Sequence, residues 1–161
     1  MTGPVEITLT VNGRAYPLRL EPRRTLLDTL REECGLTGTH MGCEHGICGA
    51  CTVLLDGDPV RACLIFAVQA EGSAIRTVES LAEHGRLTPL QRAFAAHHGV
   101  QCGFCTPGFL MLATGILERE PDIGDAELLE VLSSNLCRCT GYQGIVAAVR
   151  AALAELRGGG E

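Results

Sequence analysis

The chain contains no tryptophan and no lysine. All 13 of its cationic side chains are arginine, and aromatic residues fill only 4% of its 161 positions. With 19 acidic side chains the formal net charge is −6. Such a chain, with neither a basic patch nor aromatics interleaved among basic residues, is ill suited to nucleic acid. Long apolar runs are missing too: the longest, Phe109 to Leu117, is too short to span a bilayer. Met1 to Glu6 carries no basic segment followed by an apolar one, so no export signal is expected. There is no nucleophile–base motif and no glycine-rich phosphate loop ahead of a helix, which argues against a catalytic site on this chain.

What the chain has in excess is cysteine, nine residues, together with 20 glycines. In an exported chain the thiols would suggest disulfides. Without an export signal they point to metal-bound thiolates in a reducing, cytoplasmic compartment. Cys43, Cys48 and Cys51 are spaced C-x4-C-x2-C, and Cys63 follows. This is the plant-type ferredoxin spacing for a 2Fe–2S cluster. Gly42, Gly46 and Gly49 sit beside these thiols, where backbone without Cβ can curl around a bulky group and aim N–H groups at sulfur. A structural zinc site is the competing reading, but zinc favours two distant pairs over three ligands in one loop. A second quartet, Cys102, Cys105, Cys137 and Cys139, reads C-x2-C-x31-C-x-C. Each of its pairs is expected at a helix N-terminus, where free N–H groups and the helix dipole favour a negatively charged cluster. The tight C-x-C is expected to supply two ligands to one iron.

Local patterns give the frame. Val5–Val11 alternates apolar and polar residues, Asn12-Gly13 is a hairpin turn, and Arg14–Leu20 returns. Thr25, with Asp28 three residues on, opens a helix that Gly35 ends. Cys51–Leu55 and Pro59–Ala62 read as strands around an Asp56-Gly57 turn. After a break at residues 72–86, four helices are expected. They start at Thr88-Pro89, at Thr106-Pro107, at Asp125 as a cap, and after Gly141 to Gly144, with a frayed tail from Gly158. The fold class is therefore α+β: a β-grasp, plant-type ferredoxin-like domain over 1–77, then a four-helix bundle over 78–161. Halves this small are expected to depend on their metal for stability.

The two patterns in this order resemble the iron–sulfur subunit of the molybdenum hydroxylases, the xanthine oxidase family. The resemblance rests on Gly35-Leu36-Thr37-Gly38-Thr39, Gly42-Cys43, Cys48-Gly49-Ala50-Cys51-Thr52-Val53, Gln101-Cys102-Gly103-Phe104-Cys105-Thr106-Pro107-Gly108 and Asn135-Leu136-Cys137-Arg138-Cys139-Thr140-Gly141-Tyr142. It implies two 2Fe–2S clusters here, a large subunit with molybdopterin (as the cytosine dinucleotide), and a medium subunit with FAD, assembled as a dimer of heterotrimers. It places Gln101 and Cys139 near the pterin, making Cys139 the site where electrons enter, and the ferredoxin-type cluster near the flavin. The chain would then pass single electrons and perform no substrate chemistry, like the separately encoded small subunit of carbon monoxide dehydrogenase. Two rival functions are a free two-cluster, ferredoxin-like shuttle and a zinc-stabilised interaction module. His40 stands where the family commonly has lysine and reads as a solvated loop residue. Cys34 belongs to neither quartet and reads as a small apolar group closing its helix. Glu44, His45 and His97-His98 read as ordinary loop and helix-end residues.

Overall fold

The computed structural model describes residues 3–82 and 84–158. The part of the expected frayed tail beyond Gly158 lies outside them. In β1 (Val5–Val11) every second residue, Ile7, Leu9 and Val11, is buried. Asn12 and Gly13 both take positive φ, 51° and 76°, and return the chain into β2 (Arg14–Leu20), in antiparallel register from Val11↔Arg14 to Val5↔Leu20. Thr25 caps α1 (Leu26–Asp28): its Oγ1 accepts from the Asp28 N–H and donates to the Asp28 carboxylate. The helix then widens into a π-helical stretch, Thr29–Glu33, and Gly35, at φ 70°, ends it. β3 (Thr52–Leu55) and β4 (Asp58–Arg61) form a second hairpin through Asp56 and Gly57, again at positive φ.

One strand was not foreseen. β5 (Ala74–Arg76) falls inside the stretch read as a break. It runs parallel to β1 and antiparallel to β3, giving a five-stranded sheet in the order β2-β1-β5-β3-β4. Three residues are too few for a period to show. Its hold comes from partners elsewhere, including the Asp56 carboxylate accepting from the Ala74 N–H at 2.7 Å.

Four more helices follow: α2 (Pro89–Ala96), α3 (Thr106–Arg119), α4 (Asp125–Leu132) and α5 (Gln143–Gly158). Thr88 caps α2 through a reciprocal pair with Gln91, as its sequence predicts. The α4 expectation is corrected. Gly124 is its N-cap, and Asp125 is already helical and pairs with Arg150 of α5. α3 is buried on most sides, which explains its continuous apolar sequence. Gly115 in α3 lets it press on Leu54 and Pro59 of the β3–β4 hairpin. There are two cores, one between the sheet and α1 (Leu9, Leu26, Leu30, Val53, Ile75) and one among the helices (Phe94, Phe109, Met111, Leu128, Ile145). Leu54 of β3 contributes to the helical one. The described residues are thus α+β, with a five-stranded sheet and five α-helices.

Candidate metal centres

Two loops and two chain reversals bring the thiols together. Cys43 and Cys48 lie on the loop between α1 and β3. Cys51 is buried just ahead of β3, and Cys63 is buried in a short 3-10 turn after β4. The backbone N–H groups of Cys48 and His45 point at Cys43 Sγ, 3.3 and 3.5 Å away, and these donors bring the Cys43 thiol down to about 6. Gly46 and Gly49 hold φ of 77° and 72°, and a Cβ on Gly42 would stand 2.9 Å from Cys48 Sγ. Gly42 therefore clears space beside sulfur, whereas Gly46 and Gly49 clear it for the Leu64 and Asn135 side chains. Side-chain contacts pair Cys43 with Cys48 and Cys51 with Cys63. Burial pushes the Cys51 thiol up to about 12, so a thiolate there requires a compensating cation.

In the second quartet, Cys102 and Cys105 flank the turn into α3, with Cys105 as its N-cap residue. The matching expectation for Cys137 and Cys139 is corrected. They lie ahead of a turn that includes Tyr142 at φ 69°, and α5 begins only at Gln143. The turn has its own fastening: the Tyr142 hydroxyl accepts from the Cys137 N–H at 3.0 Å, and the Tyr142 N–H donates to Thr140 Oγ1. Burial works against the Cys137 thiolate. Thr140, donating from Oγ1 at 3.1 Å and from its N–H at 3.5 Å, together with the Cys139 N–H and the Cys105 side chain, outweighs that and lowers the thiol. Burial, then the neighbouring Cys137, pushes Cys105 up to about 12. The side-chain contacts pair Cys105 with Cys137 and Cys139 with Cys102. The C-x-C residues therefore pair across to the C-x-x-C rather than with each other. Among the described residues no three His, Cys, Asp or Glu side chains converge as they would on a single ion. Cys51 also feels Cys48, Cys105 feels Cys102, and Cys139 feels Cys137, so each quartet is one gathering of four thiols.

Sequence reasoning missed the seam between the quartets. The Cys48 carbonyl accepts from the Leu136 N–H at 2.9 Å, and the Asn135 amide, 1% exposed, donates to the Gly49 carbonyl. Gly108 of α3 packs so closely that a Cβ there would stand 2.3 Å from the Gly49 oxygen. Arg61 reaches from Thr52 to the Ser134 carbonyl. His40 is not simply solvated. Its Nδ1 meets the Phe104 carbonyl at 2.7 Å, and its ring stacks on Phe104. Cys34 ends its helix half-buried, as expected, and burial, then Glu33, raises its thiol. Gln101, Cys102 and Cys139 are exposed, whereas Cys105 and Cys137 are half-buried. Glu44 and His45 are exposed loop residues.

Residues 9–82 match the family described as a 2Fe-2S iron-sulfur cluster binding domain, and residues 77–150 that described as a 2Fe-2S binding domain. Fold and thiol arrangement thus define an iron–sulfur protein with two such domains. The chain is 57% identical over 145 residues to the nicotine 6-hydroxylase small subunit of Paenarthrobacter nicotinovorans, covering 90% of this chain and 87% of that one. It is 48% identical to the nicotinate dehydrogenase small FeS subunit of Eubacterium barkeri, over 92% and 95% of the two chains. In structure it resembles quinoline 2-oxidoreductase from Pseudomonas putida 86, with a TM-score of 0.91, 49% identity, and 98% and 99% of the two chains covered. The chain belongs to the iron–sulfur small subunits of the molybdenum hydroxylases, and its role is electron transfer. No helix among the described residues is long and apolar enough to cross a membrane.

Proposed function

We propose that Cys43, Cys48, Cys51 and Cys63 hold one 2Fe–2S cluster and Cys102, Cys105, Cys137 and Cys139 a second. The observation that carries this is that the thiols of each quartet gather while, among the described residues, no three converge as on a single ion. Two thiolates per iron suit a binuclear group, whereas a zinc ion would draw all four to one point. The surroundings fit as well: N–H and O–H donors reach Cys43 and Cys137, and Thr106 Oγ1, buried beside Cys105 with no partner, is a free donor. A 2Fe–2S cluster, when bound, accepts and releases one electron at a time.

The residues of this chain do the rest. Gly42, Gly46 and Gly49 wrap the loop closely around the first quartet. Ala50, Cys51 and Cys63 close it from the core side, and burial there limits water access. Gln101 and Cys139 offer the exposed side of the second quartet to a partner that carries molybdopterin, as the cytosine dinucleotide. The first quartet faces a partner that carries FAD. In this reading residues 1–77 form a β-grasp domain and 78–161 a four-helix bundle, and the assembly is a cytoplasmic dimer of heterotrimers. The side-by-side quartets, with the Cys48–Leu136 hydrogen bond between them, favour a relay inside a complex over a freely diffusing shuttle.

Iron and sulfide analysis with EPR of the dithionite-reduced chain tests the assignment. Four irons per chain and two distinguishable signals are expected. One signal, or zinc in place of iron, would overturn it.

A further inference from the structure

His40 lies in the run leading into the first quartet, yet its contacts are with the second. Its Nδ1 is 2.7 Å from the Phe104 carbonyl oxygen, and the two rings stack with centroids 4.8 Å apart and planes 25° from parallel. A carbonyl only accepts, so Nδ1 carries the hydrogen and donates. That carbonyl belongs to the peptide unit whose N–H is the Cys105 N–H, on the residue that carries the sulfur. His40 thus bonds the peptide group that leads into the Cys105 ligand, and a donor on its oxygen strengthens the dipole of that peptide beside the sulfur. Hydrogen bonds in series polarise and strengthen one another. Donors aimed at sulfur are among the features that set an iron–sulfur potential. Cys43 receives its donors from His45 and Cys48, with no part played by His40.

We propose that His40 is a positioning residue for the C-terminal cluster: from the loop of the other cluster, its Nδ1–H holds and polarises the Phe104–Cys105 peptide and raises that cluster's reduction potential. This rests on the reading that Cys102, Cys105, Cys137 and Cys139 hold a cluster. The stack on Phe104, which is 49% exposed, sets the ring orientation and does not replace the donor.

The test is an EPR-monitored redox titration of the full-length holoprotein. The C-terminal signal is the one altered or lost in Cys105→Ser. His40→Phe keeps a ring over Phe104 and removes the donor, whereas His40→Asn places an amide N–H close to where Nδ1 stood. His40→Phe should make the C-terminal cluster about three- to tenfold harder to reduce, since series polarisation alters each bond by only a fraction. That is ~30–60 mV at ~59 mV per decade for one electron. The other signal should stay in place, and His40→Asn should recover most of the shift. The proposal is overturned if neither potential moves, if both move equally, or if His40→Asn falls as far as His40→Phe. Should His40→Phe lose its cluster, His40→Asn decides: it retains the carbonyl's donor, and a C-terminal potential lowered in it refutes the proposal. Failure of the underlying assignment looks different, because Cys105→Ser would then leave both signals unchanged.

Discussion

Replacing Gly108 with alanine pits two effects of opposite sign. Within a helix, alanine is favoured over glycine by about 1 kcal/mol. Against that stands the packing of α3 on the first thiol loop. The added methyl would meet the Gly49 carbonyl oxygen at 2.3 Å and the Gly49 carbonyl carbon and Ala50 Cα at 3.1 Å, all backbone atoms with no rotamer to change. The loop cannot recoil, because the buried Asn135 side chain lies directly behind Gly49. Overpacking of this kind costs roughly 1–3 kcal/mol, and an immobile partner puts it at the upper end. The net effect is a loss of about 2 kcal/mol, which for a chain of this length lowers Tm by roughly 4–8 °C. Thermal melts of the holoprotein, followed by circular dichroism and by visible absorbance, would measure it. Gly158→Ala, where nothing lies within 4 Å of the new methyl, serves as the neutral comparison. A Gly108→Ala protein melting at or above the parent temperature would mean the two loops are not in tight contact, and the reasoning fails.

Removing iron with a chelator should melt both halves together, because each core is small and its thiol loops have little else to hold them. An apo chain with a cooperative, native-like transition in calorimetry would contradict this. Thr140→Val deletes the hydroxyl that donates to Cys137 and accepts from Tyr142, so stability should fall by about 1–2 kcal/mol in denaturant titrations. The potential of the C-terminal cluster should fall with it. The Arg150 guanidinium holds the Asp125 carboxyl below its usual range. A depressed pKa stabilises the fold above the unfolded value, near 3.9, and the benefit is lost as pH falls through the folded value. The Tm deficit of Arg150→Gln should therefore be full at neutral pH and shrink as the pH drops below about 4.

Much of this could be read from the chain. β1, β2 and the Thr25 and Thr88 caps declare themselves because alternation, Asn-Gly and capping boxes are local signals. The thiol spacing marked both quartets for the same reason. What stayed hidden depends on residues far apart in sequence. β5 is too short to carry a period and exists because Asn12, Asp56 and the flanking strands pair with it. Asp125 looked like a cap, but Arg150 from another helix claims its carboxylate. His40 looked like a loop residue because nothing within the run Thr39 to Gly42 announces that Phe104 lies beside it. The crossed pairing of Cys137 with Cys105 and of Cys139 with Cys102 depends on how the turn ahead of α5 faces the α3 turn, which no spacing rule conveys.

The position of β5 also sets an order for synthesis. β1 and β3 are not paired with each other: among the described residues, the strand between them is formed by residues 74–76. Until Arg76 has left the ribosome the two hairpins remain separate pieces with open edges, although Cys43, Cys48, Cys51 and Cys63 have already emerged. On the reading that these thiols hold iron, a nascent chain stalled before Arg76 would carry the donors without the three-residue clasp that joins the two hairpins.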